Sequence, residues 1–426
     1  MLRLNNIIFS EDGKRIDYSY SLSENTTDYF NESQPFFVEF DSVVSQVPES
    51  IAVIPLLSNV MPIAWFSGFD VFVEELDEDF NNSLIKVKNE FIKNFPTKNI
   101  SGNLHVNRIV KNKLEKAGDK SVMLFSGGVD SYSTFIRTYE KNPDLITYQG
   151  ADIPLSDDKQ WQDFVQYTEN EGILKTSKKY YVKSNLRDFY TYKVELLIDD
   201  LGWWGIVQHG LSLIGSLAPI AFKNNYSKLY IASTFKKEIE VFRGSTPNVD
   251  ENISWAGLEV CHEGSDMSRQ DKVNLIVEFA RKHQIQLPIR VCYSELRKGF
   301  NCSNCEKCFR TILALMVNNE NPNDYGFDVD ESIYDKLIAY FNQNKISIYI
   351  KYYYDEILEE VEKGNKIFKF SNSSNEREKM KLISERKIED FMDIDKSNLN
   401  KKLSRIRFII RNKFPSMVNL YRKIKH

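Results

Sequence analysis

The chain has 426 residues, too many for one core, which predicts two or three domains. Hydrophobic residues make up 42% and charged residues 27%, an ordinary globular balance, and a formal net charge of −4 removes any global argument for nucleic-acid binding. The N-terminus lacks the apolar core of a signal peptide, no run reads as a membrane span, and three of the five cysteines fall within residues 302–308, so the expectation is a cytoplasmic protein with a metal site and no disulfide framework.

In chain order, residues 1–118 carry the runs FFVEFDSV, IAVIPLL and IAWFSGFDVFVEEL, then a helical pattern, NSLIKVKNEFIKNF. They predict an N-terminal α+β domain without a chemical motif, in which IAVIPLLSNVMPIAWF (51–66), broken by prolines, forms buried strands and turns. Over 119–325 the rhythm changes. VMLF, DLITYQG, KYYVKS and KLYIAST are β-rich, and helical stretches such as SYSTFIRTYEK and LSLIGSLAPIAFKN separate them. That alternation predicts a parallel, doubly wound α/β sheet with ligands beyond the carboxyl ends of its strands. Residues 326–426 read as a charged helical extension, with SNSSNEREK as a loop. Residues 401–426 hold nine Lys or Arg and no acidic residue, with Leu403, Ile406, Ile410 and Phe414 at helical spacing. This basic tail is expected to dock on the acidic segment before it, or to touch a membrane or a partner.

Chemistry concentrates at Ser126-Gly127-Gly128-Val129-Asp130-Ser131, between the VMLF strand and a helix start. Glycines there let a phosphate approach main-chain N–H groups at a helix N-terminus, and Ser126 and Ser131 add hydroxyls. Asp130 would repel phosphate, so it is expected either to hold Mg²⁺ or to order the loop by hydrogen bonds. A plain glycine turn with Asp130 and Ser131 capping the helix is the bland alternative. The loop lacks the lysine of a Walker A motif.

A second constellation is Cys292, Cys302, Cys305 and Cys308, a CxxCxxC with a fourth cysteine ten residues upstream. Four thiolates at such spacings suit a closed, structural tetrahedral Zn²⁺ site, a zinc knuckle pinning the FRTILALM helix.

The SGGVDS stretch resembles the signature of the PP-loop ATP pyrophosphatases, and its pairing with the downstream cysteines is similar to the 7-cyano-7-deazaguanine synthase branch of that superfamily. The resemblance covers about residues 119–318 and implies an adenine nucleotide alpha hydrolase-like sheet, with ATP, Mg²⁺ and Zn²⁺ as cofactors. The activity it implies is ATP cleavage to AMP and pyrophosphate, activating a carboxylate for amidation or nitrile formation. Residues 126–131 would hold the phosphates. Tyr148, Gln149 and Gly150, at the end of the second strand, would lie at the adenine, and His209 and Gly210 would open a helix facing the site. Asp130, Ser131, Arg269 and Lys272 are the candidate catalytic residues, the two cations offsetting charge on the pentavalent α-phosphate.

The first 118 and last hundred residues have no counterpart in the compact synthase, so a divergent small-molecule or protein acceptor is expected, such as a deazaguanine–protein conjugate or a modified sugar. Relatives of this branch occur in antiphage operons. Position 2 is leucine, not a glutaminase cysteine, so nitrogen is expected from ammonia, an amine or an operon-encoded partner. A tRNA-modifying adenylase and a non-catalytic nucleotide-fold scaffold are the competing readings. Arg243, Gly244 and Ser245 in FRGSTP could form a substrate loop, His262 and Glu263 could face the site, and Cys261 reads as a buried small residue before a thiol nucleophile.

Overall fold

The computed structural model describes residues 1–114, 118–236, 242–292, 299–364, 366–394 and 398–413. Ten strands form one sheet: β1 Leu2–Phe9, β2 Arg15–Leu22, β3 Phe37–Phe40, β4 Val71–Asp77, β5 Leu104–Val110, β6 Ser121–Leu124, β7 Asp144–Gln149, β8 Lys179–Ser184, β9 Lys228–Ala232 and β10 Glu259–Glu263. Their order is β10-β9-β6-β7-β8-β3-β2-β1-β4-β5. The block β10-β9-β6-β7-β8 is parallel throughout, and the pairs β8–β3, β3–β2 and β2–β1 are antiparallel. The protein is therefore α/β with a large, mostly parallel sheet.

Both faces of the parallel block are covered. Val122, Ile146, Val182, Leu229 and Ile231 join one hydrophobic cluster, whereas Met123, Leu145 and Tyr230 join another. Adjacent strand residues point to opposite faces, so burial on both explains why these strands read as continuous apolar runs and not as alternating ones. The first five strands extend this same sheet. Val38 of β3 faces Ser184 of β8 in an antiparallel ladder. The Asn185 side chain locks the seam, accepting from the Phe37 N–H and donating to the carbonyls of Gln34 and Pro35.

Three sequence expectations change. Residues 51–66 form helices Glu49–Ala52 and Ile54–Ser67, not strands. Ile54 through Phe66 are all buried, so no polar stripe marks a helical period, and Pro62 stands inside the helix. The SNSSNEREK loop ends at Ser373, whose hydroxyl accepts from the Glu376 N–H and caps helix Ser374–Ser384. The helical run Trp204–Lys223 does reach membrane-spanning length and apolarity, but 78% of its apolar window is buried inside the protein.

Beyond the sheet, helices Ile333–Gln343, Ile348–Glu362 and Ser374–Ser384 complete the second core cluster. Helix Asn398–Lys413 leaves Leu403, Ile406 and Ile410 exposed, and its Phe408 ring meets Tyr192 edge-on at 6.3 Å. Its Arg405 guanidinium donates to the carbonyls of Leu196, Ile198 and Asp199, so its visible anchor is the 196–199 segment and not the acidic stretch before it. Phe414 lies outside the described residues.

Candidate functional site

The chain leaves β6 at Leu124, turns through Phe125–Gly128 and enters helix Val129–Arg137. β6 lies between β7 and β9, where the strand order reverses, the position at which open α/β sheets leave a crevice. Gly127 has φ +71, which favours glycine, and a Cβ there would sit 2.9 Å from the Phe164 ring. Gly128 is the extended residue that precedes the helix. The Ser131 hydroxyl donates to the Gly128 carbonyl at 3.0 Å, and Ser126 Oγ lies 3.3 Å from Ser131 Oγ. Residues 126–131 thus form the turn that the sequence predicts.

Asp130 settles between two cations. Arg269 Nη1 donates to its Oδ2 at 2.5 Å and Lys272 Nζ to its Oδ1 at 3.2 Å. Burial works to raise the Asp130 carboxyl, but Arg269 and Lys272 overcome it and hold the group below the ordinary carboxylate range. Lys272 also donates to the Ser233 carbonyl at the end of β9. Both cations come from helix Arg269–His283, which opens with a capping box between Ser268 and Asp271. Of the two roles open to Asp130, the one visible here is ordering: its carboxylate ties the loop helix to the cationic helix.

Facing the turn is a bay lined by Ser126, Gly128, Asp130, Arg269, Arg290, Lys307 and Arg310, with Asp152 and Thr234 at its edge. The Arg290 N–H donates to the Gly127 carbonyl at 2.7 Å, and its guanidinium, 5.6 Å over the Phe164 ring, reaches the Ser126 carbonyl at 3.4 Å. Burial pushes the Lys307 ammonium down to about 8 against the pull of Asp152, and Arg310 and Arg269 push the same way as burial. Cations crowded at a helix N-terminus suit an anion.

The bay opens into a cleft with apolar walls from Ile146, Tyr148, Leu213 and Ile231. Tyr148 keeps its ring at the wall by donating its hydroxyl to the Leu213 carbonyl at 2.9 Å. His209 lines this cleft and stacks edge-on against Trp204 at 5.2 Å. Burial drives the His209 pKa down, opposed by Asp152 and Asp250.

The remaining sequence candidates are used inside the fold. Gln149 donates to the Leu155 carbonyl and to Asp158, and Gly150 packs where a Cβ would lie 1.7 Å from the Ser184 carbonyl oxygen. A Cβ at Gly210 would lie 2.0 Å from Asp250 Oδ1, so that glycine is required by packing. His262 Nδ1 meets the fully buried Asp250 at 2.7 Å, and Ser245 Oγ donates to the same oxygen at 2.6 Å. Glu263 pairs with Arg137. Burial, with Glu263 and Glu251, raises the Cys261 thiol, the opposite of an activated nucleophile.

The four predicted metal ligands converge. The Sγ atoms of Cys292, Cys302, Cys305 and Cys308 all lie within 4.8 Å of one another, a group able to hold a metal ion. The separations Cys302–Cys308, Cys305–Cys292 and Cys305–Cys308 are 3.9, 3.9 and 3.5 Å. Four ligands about 2.3 Å from one ion at tetrahedral angles would stand about 3.8 Å apart. Cys305 precedes helix Glu306–Met316, and the Asn304 N–H points at Cys302 Sγ at 3.4 Å. The buried Asn301 side chain braces the cluster, accepting from the Val291 and Cys292 N–H groups and donating to the carbonyls of Ile289 and Gly326.

Sequence reasoning passes over Arg290, Lys307 and Arg310. A signal was present: Arg290 stands two residues before Cys292, and Lys307 and Arg310 flank Cys308. The cysteine cluster that brings these segments together also delivers their cations to the bay. No protein-family model, no curated protein and no solved structure matches this chain.

Proposed function

We propose that the chain is an ATP-dependent adenylating enzyme that cleaves ATP to AMP and pyrophosphate and activates a carboxylate for amidation or nitrile formation. The observation that carries this reading is the bay itself, where Arg269, Arg290, Lys307 and Arg310 line the space beside the Ser126–Gly128 turn at the strand-order reversal, with Lys272 behind Asp130. A doubly wound sheet of the adenine nucleotide alpha hydrolase type accounts for the order β10-β9-β6-β7-β8 with helices on both faces.

The adenosine of ATP would occupy the cleft at Ile146, Tyr148 and Leu213, and its outer phosphates the cationic bay. An acceptor carboxylate oxygen attacks the α-phosphorus, the bond from that phosphorus to the bridging oxygen breaks, and pyrophosphate leaves with the bond electrons. Arg269, Arg290 and Lys307 lower the barrier by meeting charge that grows on the departing oxygens. Ammonia or an amine then attacks the acyl carbon, and AMP departs with the carboxylate oxygen. Mg²⁺ arriving with the phosphates would be met by Asp152, which lines both cavities. The four thiolates suit Zn²⁺, which would brace the fold and leave no open position for substrate.

The acceptor would take an adjoining cavity that shares Asp152, His209 and Thr234 with the adenosine cleft. Arg187, Trp204, Phe235 and Arg243 line it, a set suited to a flat molecule bearing negative charge. A direct test is chromatography of ATP incubated with the protein, Mg²⁺, ammonia and a series of heterocyclic carboxylates. AMP and pyrophosphate should appear one for one; ADP with orthophosphate would overturn the proposal.

A further inference from the structure

Helix Ile348–Glu362 belongs to the C-terminal extension, a region without a motif, yet it packs directly behind the anion bay. Tyr353 is buried with its ring face against Arg310, whose guanidinium carbon lies 4.3 Å from the ring centroid. The Tyr353 ring also stacks on Phe235 at 6.1 Å and 18°. Arg310 is itself 8% exposed; among the described residues its Nε has no hydrogen-bond partner and its guanidinium pairs with Glu306 alone, at 3.7 Å. The guanidinium is therefore held largely by the aromatic plane, which fixes its direction without consuming its charge.

One turn further along the same helix, the buried Glu356 accepts the Gln270 N–H at 3.2 Å. Gln270 lies in the first turn of helix Arg269–His283, so a carboxylate stands at the positive end of the helix that delivers Arg269 and Lys272. Glu360, a turn later again, accepts from Asn274 on that helix.

We propose that helix Ile348–Glu362 is a working wall of the phosphate site, in which Tyr353 is a positioning residue for Arg310 and Glu356 anchors the start of the helix bearing Arg269 and Lys272. The extension is thus part of the machinery that grips pyrophosphate, and Phe235 links that wall to the acceptor cavity. This rests on reading the bay as a pyrophosphate site.

The test is calorimetric titration of inorganic pyrophosphate into the full-length protein and four variants. Tyr353→Leu should bind about tenfold more weakly, the scale of a desolvated cation–aromatic contact. Tyr353→Phe, which keeps the ring face, should restore the wild-type affinity. Arg310→Ala should weaken binding, and the Tyr353→Leu/Arg310→Ala double variant should bind no worse than Arg310→Ala alone, because Tyr353 acts through Arg310. Wild-type affinity in Tyr353→Leu, failure of Tyr353→Phe to restore binding, or additive losses in the double variant would overturn the proposal. If Tyr353→Leu does not fold, Tyr353→Phe and Arg310→Ala decide: affinity lost in the first or kept in the second overturns it. A wild-type protein that binds no pyrophosphate would overturn the site reading itself, an outcome distinct from the others.

Discussion

Replacing Asp130 by Asn removes one charge from a three-member cluster without changing its shape. Asp130, Arg269 and Lys272 have side-chain exposures of 21%, 13% and 1%, so water screens the cluster little. Breaking a buried pair costs about 3–5 kcal/mol because the surviving charge is left uncompensated. The asparagine oxygen still accepts one hydrogen bond and Lys272 keeps the Ser233 carbonyl, which favours the lower end, about 3 kcal/mol. At about 2 °C per kcal/mol for a larger chain, the melting temperature should fall by about 6 °C. Pyrophosphate would meet the bared cations, so the deficit should shrink when it saturates the protein. Turnover of ATP should still be lost, because Arg269 and Lys272 no longer share a fixed anchor. Differential scanning calorimetry with and without pyrophosphate reads the first two effects, and AMP release reads the third. A variant that melts with the wild type and turns over at its rate would refute this reasoning.

Cys305→Ser should lose the bound metal and solubility, since metal binding energy in such a cluster is folding energy, whereas Cys261→Ser should keep it; elemental analysis showing equal zinc in wild type and Cys305→Ser would contradict the assignment. Gly210→Ala forces a methyl into Asp250 and the Gly244 carbonyl and should cost about 1–3 kcal/mol or more, read as a lower melting temperature; an unchanged melt would show that the helix can shift. His209 has its pKa lowered by burial, so below about pH 6.5 the unfolded chain binds a proton that the folded chain resists. Stability should therefore fall as pH drops through that range, and His209→Gln should flatten the fall in urea midpoints; parallel profiles would place the dependence elsewhere.

What was legible in the sequence is what local spacing encodes. The glycine turn and the four cysteines each need particular residues a few positions apart, and both form as expected. Strands β6 to β9 were legible because burial on both faces leaves unbroken apolar runs. That same uniformity misleads over residues 51–66, where a helix buried all round carries no 3.6-residue stripe. β10 was missed because EVCHE holds only two adjacent apolar residues between polar ones, too short a run to mark a strand. Gln149, Gly150 and Gly210 sit beside cleft residues in sequence, but their neighbours in space are Asp158, Ser184 and Asp250, which no local pattern reveals. Arg290, Lys307 and Arg310 stand beside the cysteines in sequence, but that they share one bay, with Tyr353 behind it, emerges only when the cysteine cluster and the C-terminal helix come together.

The central claim is that ATP binds with its phosphates between the Ser126–Gly128 turn and the cations facing it, and it can be tested without knowing the acceptor. Titration with α,β-methylene-ATP, which cannot be cleaved at the relevant bond, should show one site per chain in the wild type. In Arg290→Ala, which removes the guanidinium beside the Ser126 carbonyl, affinity should fall at least about tenfold, the lower bound for truncating a charge-assisted contact. No binding by the wild type, or equal affinity in Arg290→Ala, would contradict it.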